Sequence, residues 1–260
     1  MANTRFSVTN HCVGATISST ATVIDANFPV TNLSDADRYS RIQTTATASG
    51  TVYIDVDLGA NFAAKPVQAF AILNHAILAG NGIQTWNVFY GGSPSPRVNS
   101  LLAPPVVLGR KNVGSTLLNP FTTNRYYSFA LGGPTLAAGP DRFALGSVWL
   151  GTLADLGIVY SSGSAVQARR LRSVTSTISG LPVINDYGNP YKTFSLSFAN
   201  IVEPARAQIE TLATARGSLL YFDQNDNVYE CRLEEHLVGW QHVFSPPDLF
   251  NGTVNLIELP

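Results

Sequence analysis

Up to residue 203 the sequence carries almost no helical periodicity; short runs rich in β-branched and aromatic residues stand between turn residues instead. Residues 51–58 are the clearest case, with Val52, Ile54, Val56 and Leu58 alternating against Tyr53, Asp55 and Asp57. That alternation describes a strand with one buried and one wet face in an antiparallel sheet. Similar runs at 67–73, 85–90, 125–131 and 143–150 are closed by Gly59, Gly91-Gly92, Gly132-Gly133-Pro134 and Gly139-Pro140. Many short strands with such turns predict a β-sandwich or jelly roll.

A chain of 260 residues has room for one large β domain or two domains. Only 13% of the residues are charged and 45% are hydrophobic, which excludes intrinsic disorder and predicts much packed or mutually buried surface. Residues 1–160 hold nine basic and seven acidic side chains (+2), residues 161–260 seven and ten (−3), and all six Glu fall at Glu203 or later. With Ser161-Ser162-Gly163-Ser164 as linker, this predicts domains at 1–160 and 161–260. The net charge of −1 gives no general attraction to nucleic acid. No run approaches the roughly 20 apolar residues of a membrane span, so no membrane insertion is expected. The N-terminus has no charged segment leading into an apolar one, so it carries no mark for secretion.

One helix is predicted near 204–216, with Pro204 suited to its first turn, Gly217 to the position just past its end, and Ala205, Ile209, Leu212 and Ala213 on one face. An alternating strand ending at Phe198 precedes it. A hairpin follows, with strands at 219–222 and 228–233 and a polar tip from Asp223 to Asn227. The last strand is expected at 252–259.

Motifs for catalysis are missing: there is no G-x-S-x-G, H-E-x-x-H, P-loop or G-x-G-x-x-G. His11, His75, His236 and His242 lack ligand spacing, Cys12 and Cys231 are too few for a zinc site, and no metal or other cofactor is expected. Asp55, Asp57 and Asp141 are the carboxylates to consider for a glycoside hydrolase. Asp223, Asn225, Asn227 and Glu234 fit part of a calcium-loop pattern, which fails because Val228 stands where glycine is needed and the flanks are strands. Trp86 and Tyr90, with Asn74, His75 and Arg97 as polar partners, are the candidate glycan-binding set; core packing is the competing reading for Trp86. Arg169, Arg170 and Arg172 form the one local basic cluster. They read as a solvated strand end or as a subunit contact facing Glu234 or Glu235 of a neighbour, and the bias of 13 Arg to 3 Lys suits interfaces.

Residues 28–150, through Phe28-Pro29-Val30-Thr31-Asn32-Leu33, Arg41-Ile42-Gln43, Val56-Asp57-Leu58-Gly59, 69–75 and Phe143-Ala144-Leu145-Gly146, resemble the discoidin-like, galactose-binding jelly rolls of tailed-phage structural proteins. Residues 161–260, through 192–198, the helix, Arg216-Gly217 and the closing β segment, resemble the tail-tube-like or belt domain of distal-tail and minor tail proteins. The resemblance implies a mainly β fold, an N-terminal jelly-roll sandwich followed by a belt domain with one helix. It implies a non-enzymatic virion protein of the phage tail tip or baseplate, made in the host cytoplasm, assembled as a homo-oligomeric ring, in contact with other tail proteins and possible host surface glycan. The order is the reverse of the common distal-tail arrangement. The alternatives are a carbohydrate-binding adhesion protein and a polysaccharide-degrading enzyme.

Overall fold

The computed structural model describes residues 3–20, 24–35, 41–43, 51–74, 85–101, 106–107, 113–116, 124–132, 144–157, 164–176, 182–213, 217–223, 225, 227–234, 238–243 and 249–259. The chain is mainly β and forms two compact units, Thr9–Leu153 and Met1–Val8 with Ala154–Pro260. The expected consecutive domains are therefore nested. The first strand, β1 (Arg5–Ser7), pairs with residues 154–155 on one side and 220–222 on the other, so the first unit is an insertion in the second. Of the linker expected at 161–164, residues 161–163 lie outside the described residues.

The inserted unit is an antiparallel sandwich. Its strands are β2 (Thr16–Ser19), β3 (Ile42–Gln43), β4 (Val52–Asp57), β5 (Ala69–Leu73), β6 (Thr85–Gly91), β7 (Asn99–Ser100), β8 (Val106–Val107), β9 (Val113–Thr116), β10 (Tyr126–Gly132), β11 (Ala144–Leu145) and β12 (Ser147–Gly151). One sheet runs β2-β4-β10-β6-β7 with β8 on β6; the other runs β12-β5-β9, and β11 pairs with β3. The alternation read in residues 51–58 places Ile54 and Val56 inward beside Trp86, Val88, Phe129 and Leu131, against Phe70, Ile72, Val148 and Leu150 of the smaller sheet. Each such buried side chain contributes about 1.5–3 kcal/mol, which makes this shared core the main support of the jelly-roll sandwich. The strand expected over 143–150 is broken at Gly146, a position where a Cβ would lie 2.7 Å from Asn74 Cβ, so only glycine fits this close approach.

The second unit adds β13 (Ala154–Asp155), β14 (Ala165–Ser176), β15 (Pro182–Val202), α1 (Glu203–Ala213), β16 (Leu219–Phe222), β17 (Val228–Leu233), β18 (Val238–Val243) and β19 (Leu249–Glu258). Its eight-stranded sheet runs β13-β1-β16-β17-β19-β15-β14, with β18 on β19. Helix α1 buries Ala205, Ile209 and Leu212 in a core with Phe194, Leu196, Tyr221, Val254 and Leu256. Arg206 bonds Glu203 at 2.7 Å on its exposed side. The glycine cap expected at Gly217 depends on residues 214–216, which lie outside the described residues. Phe6 of β1 belongs to this core: its ring stacks on Tyr221 at 5.5 Å, and Phe194 meets Tyr221 at 5.2 Å. That aromatic contact explains why a three-residue strand so far away in sequence completes the sheet.

Candidate functional site

The structure separates the expected glycan-binding set. Trp86 is 0% exposed in the sandwich core, its ring 5.9 Å from Phe70 of the opposite sheet, so the stacking role is corrected to core packing. Strand parity explains this: Trp86, Val88 and Tyr90 share the inward side of β6, and Tyr90 packs partly buried against the same core. Arg97 lies on the other side of that sheet, held by Asp55 of β4. Asn74 sits in the left-handed region (φ 53) at the end of β5, against Gly146. His75 is outside the described residues. The four described residues of the set therefore do not share one platform.

What the outer face of the larger sheet holds instead is a pair of clamped guanidiniums. Asp55 and Asp57, two apart on β4, point outward together. Arg97 donates to both oxygens of Asp55, at 2.8 and 2.9 Å, and to Ser128 Oγ of β10 at 2.7 Å. Its guanidinium lies 3.9 Å from the centroid of the Tyr53 ring. Ser95 Oγ donates to the same carboxylate at 2.9 Å. Arg125 repeats the pattern on Asp57, at 2.8 and 2.9 Å, with its guanidinium over Tyr126. Such bidentate pairs fix both position and plane. The loop after β6 is thereby tied down across β4 and β10.

The electrostatics argue against acid catalysis by this pair. Burial pushes the Asp55 carboxyl up, but hydrogen bonds from Arg97, Ser128 and Ser95 more than reverse it and hold it below the usual carboxylate range. Arg125, more than the opposing effect of burial, holds Asp57 down as well. A glycosidase acid needs the opposite shift, so neither fits that role. Asp141 is outside the described residues. Among the described residues no group of His, Cys, Asp and Glu is placed to hold a metal ion.

Asp223 closes its own hairpin tip, accepting from the Asn225 and Asn227 amides at 2.8 Å and from Asn227 Nδ2 at 2.7 Å. Its oxygens are thus used within the turn. Cys12 and Cys231 are buried free thiols, and burial pushes both away from the reactive thiolate.

Arg169 is exposed on β14, the last strand of the large sheet, with Nη2 donating to Gln167 Oε1 at 3.3 Å. Arg172 stands in register with Asp186 of β15, and Arg170 falls at a register shift between β14 and β15. Glu234 is exposed just after β17, its amide bonded to Asn255 O, and Glu235 is outside the described residues. Sequence reading missed the length of the β14–β15 ribbon and the Arg97–Asp55 clamp.

No family model matches the sequence, and none of the curated proteins does. The chain is similar to the family 32 carbohydrate-binding module from C. perfringens NanJ, solved with galactose: 10% identity, TM-score 0.39, covering 58% of this chain and 99% of that one. It is also similar to the family 32 module from Streptococcus pneumoniae EndoD, with 13% identity, TM-score 0.40, and 55% and 98% covered. SpGH29 shares 15% identity at TM-score 0.39 over 56% of this chain, which spans only 28% of that protein. At such identities and TM-scores the likeness says nothing about ligand or activity.

Proposed function

We propose that the protein is a non-catalytic structural protein that assembles with copies of itself through its second unit and carries the sandwich as an inserted head. The observation that carries this reading is the place of β14. It is a twelve-residue terminal strand on which no further strand pairs among the described residues, and Val166 on it is 55% exposed. An edge of that length is a liability for a monomer and a natural seam for a closed ring, in which one subunit's edge meets a different surface of the next. The setting proposed is the tail tip or baseplate of a tailed phage, with other tail proteins as neighbours; the sequence resemblance of residues 28–150 and 161–260 supports it. Arg169, Arg170 and Arg172 are assigned to the subunit contact, facing Glu234 or Glu235 next door. Native mass spectrometry and particle imaging test the reading. A ring that weakens with salt is expected. A chain that stays monomeric alone and on the assembled particle overturns it.

A second reading, a carbohydrate-binding adhesion protein, is favoured by the partly exposed outer face of β4 and β10. Planar guanidiniums and carboxylates beside tyrosines are groups that hydrogen-bond neighbouring hydroxyls. Glycan-array binding that is lost in a folded Arg125→Ala variant would favour this reading.

A further inference from the structure

The chain enters the sandwich at Thr9 and leaves it at Leu153. Beside the exit runs β12, which pairs with β5 on one side and, among the described residues, with no strand on the other. Residues 10 and 11 cover its other edge. Asn10 imitates a strand with its side chain, Nδ2 donating to Val148 O at 2.9 Å while Oδ1 accepts from Leu150 N at 3.3 Å and from Cys12 N at 3.0 Å. The His11 amide then donates to Leu150 O at 2.7 Å. The imidazole reaches further: Nε2 lies 3.0 Å from Pro66 O and 3.4 Å from Thr152 Oγ1, and that hydroxyl donates to the same carbonyl at 3.2 Å. A carbonyl only accepts, so the neutral ring carries its proton on Nε2. His11 thus ties the entry of the insertion to its exit and to the turn before β5.

We propose that Asn10 and His11 form a latch at the mouth of the inserted sandwich, and that the latch opens when His11 gains a proton. Protonation puts a second N–H, on Nδ1, and a full charge on a half-buried ring. Among the described residues the charged group acting on that ring is Lys65, whose ammonium donates to Leu58 O at 2.9 Å. Cys12, next in the chain, stays a neutral thiol, and Pro66 and Thr152 carry no charge. Burial first, then the Lys65 charge, hold the ring below the usual histidine range, against the opposing pull of the Pro66 hydrogen bond. The sign follows. The open latch protonates near the ordinary value of about 6.5, and the closed latch only at lower pH. Opening is therefore favoured as pH falls below about 6.5, by up to about tenfold per pH unit, until the closed ring itself protonates.

Hydrogen exchange of the full chain, corrected for intrinsic rates, reads this directly over a series from about pH 8 to 5. The amides of residues 11, 12 and 150 are expected to lose protection as the pH falls, while those of β10 do not. His11→Gln keeps a donor for Pro66 O without titrating, and should stay protected throughout. Lys65→Met removes the repelling charge and should shrink the acid response. An acid response of the same size in His11→Gln, an equal loss in β10, or no response in the native chain overturns the latch. An NMR titration of the native His11 ring gives an independent reading, and a pKa at or above the ordinary histidine value overturns it too.

Discussion

Asp55 grips Arg97 through both carboxylate oxygens, at 2.8 and 2.9 Å, on the side of the larger sandwich sheet opposite to Trp86. The pair joins a central strand to a loop that would otherwise be free to leave the sheet, because Arg97 also touches Ser128 of β10 and covers the Tyr53 ring. Arg97→Ala leaves the partly buried Asp55 carboxylate without its main donor, and a loss of about 1–3 kcal/mol is expected, measured by urea unfolding. The loss should fade in acid. Asp55 is held below its ordinary value in the folded chain, so its contribution is full above the unfolded carboxylate pKa of about 3.9 and disappears as pH falls through the folded one. A native-like difference between variant and parent at the lowest pH at which both stay folded would contradict this.

Trp86→Ala is expected to be a core mutation, with no role in a surface platform. Removing the indole leaves a cavity against Phe70 and should cost about 3–5 kcal/mol, visible as a large drop in the sandwich's unfolding midpoint. Trp86→Phe should recover most of the loss. If Trp86→Ala unfolds at the parental midpoint, the inward placement is wrong.

How much of this the sequence displays depends on the range of the interaction. The alternation of Val52, Ile54 and Val56 against Tyr53, Asp55 and Asp57 is a local signal, so β4 and its two faces are legible from the residues alone. The same parity, applied from Val88 to Trp86 and Tyr90, puts both aromatics inward, so core packing rather than a surface platform is the reading of Trp86 that strand parity supports. The clamp between Arg97 and Asp55 spans 42 residues and carries no periodic trace. Strand β1 is harder still: Arg-Phe-Ser has no pattern of its own, and its ladder partners, residues 154–155, are separated from it in sequence by the whole sandwich. Breaks such as Gly146 and the register shift between Arg169 and Leu171 come from packing and pairing, which a single segment does not encode.

Gly252 in β19 has a Trp240 ring directly over it: a Cβ at that position would lie 2.2 Å from Trp240 Cζ3 and 2.3 Å from Cε3. Strand glycines usually weaken a sheet, and here the close approach of the indole gives the reason for one. Gly252→Ala should therefore destabilise the second unit by about 1–3 kcal/mol as the ring is displaced. In a double-mutant cycle the penalty should shrink on a Trp240→Leu background, because the branched side chain leaves room for the methyl group. Additive losses across the cycle would separate the two residues.

The nested topology predicts that a cut at the expected linker does not release a whole second unit. A fragment of residues 161–260 lacks β1 and β13, so it exposes the edge of β16 and loses Phe6 from its stack on Tyr221. Burial of a Phe is worth about 1.5–3 kcal/mol, and an uncovered central strand adds an aggregation hazard. That fragment should unfold at lower denaturant than the same unit in the full chain and should associate through β16. Adding residues 1–8 and 154–160, with a short turn joining them in place of the sandwich, should restore the midpoint, since Arg5 and Phe6 already stand in antiparallel register with Asp155 and Ala154. Equal stability of the 161–260 fragment with and without those segments would show that β1 is dispensable, and the unit would then begin near residue 161 after all.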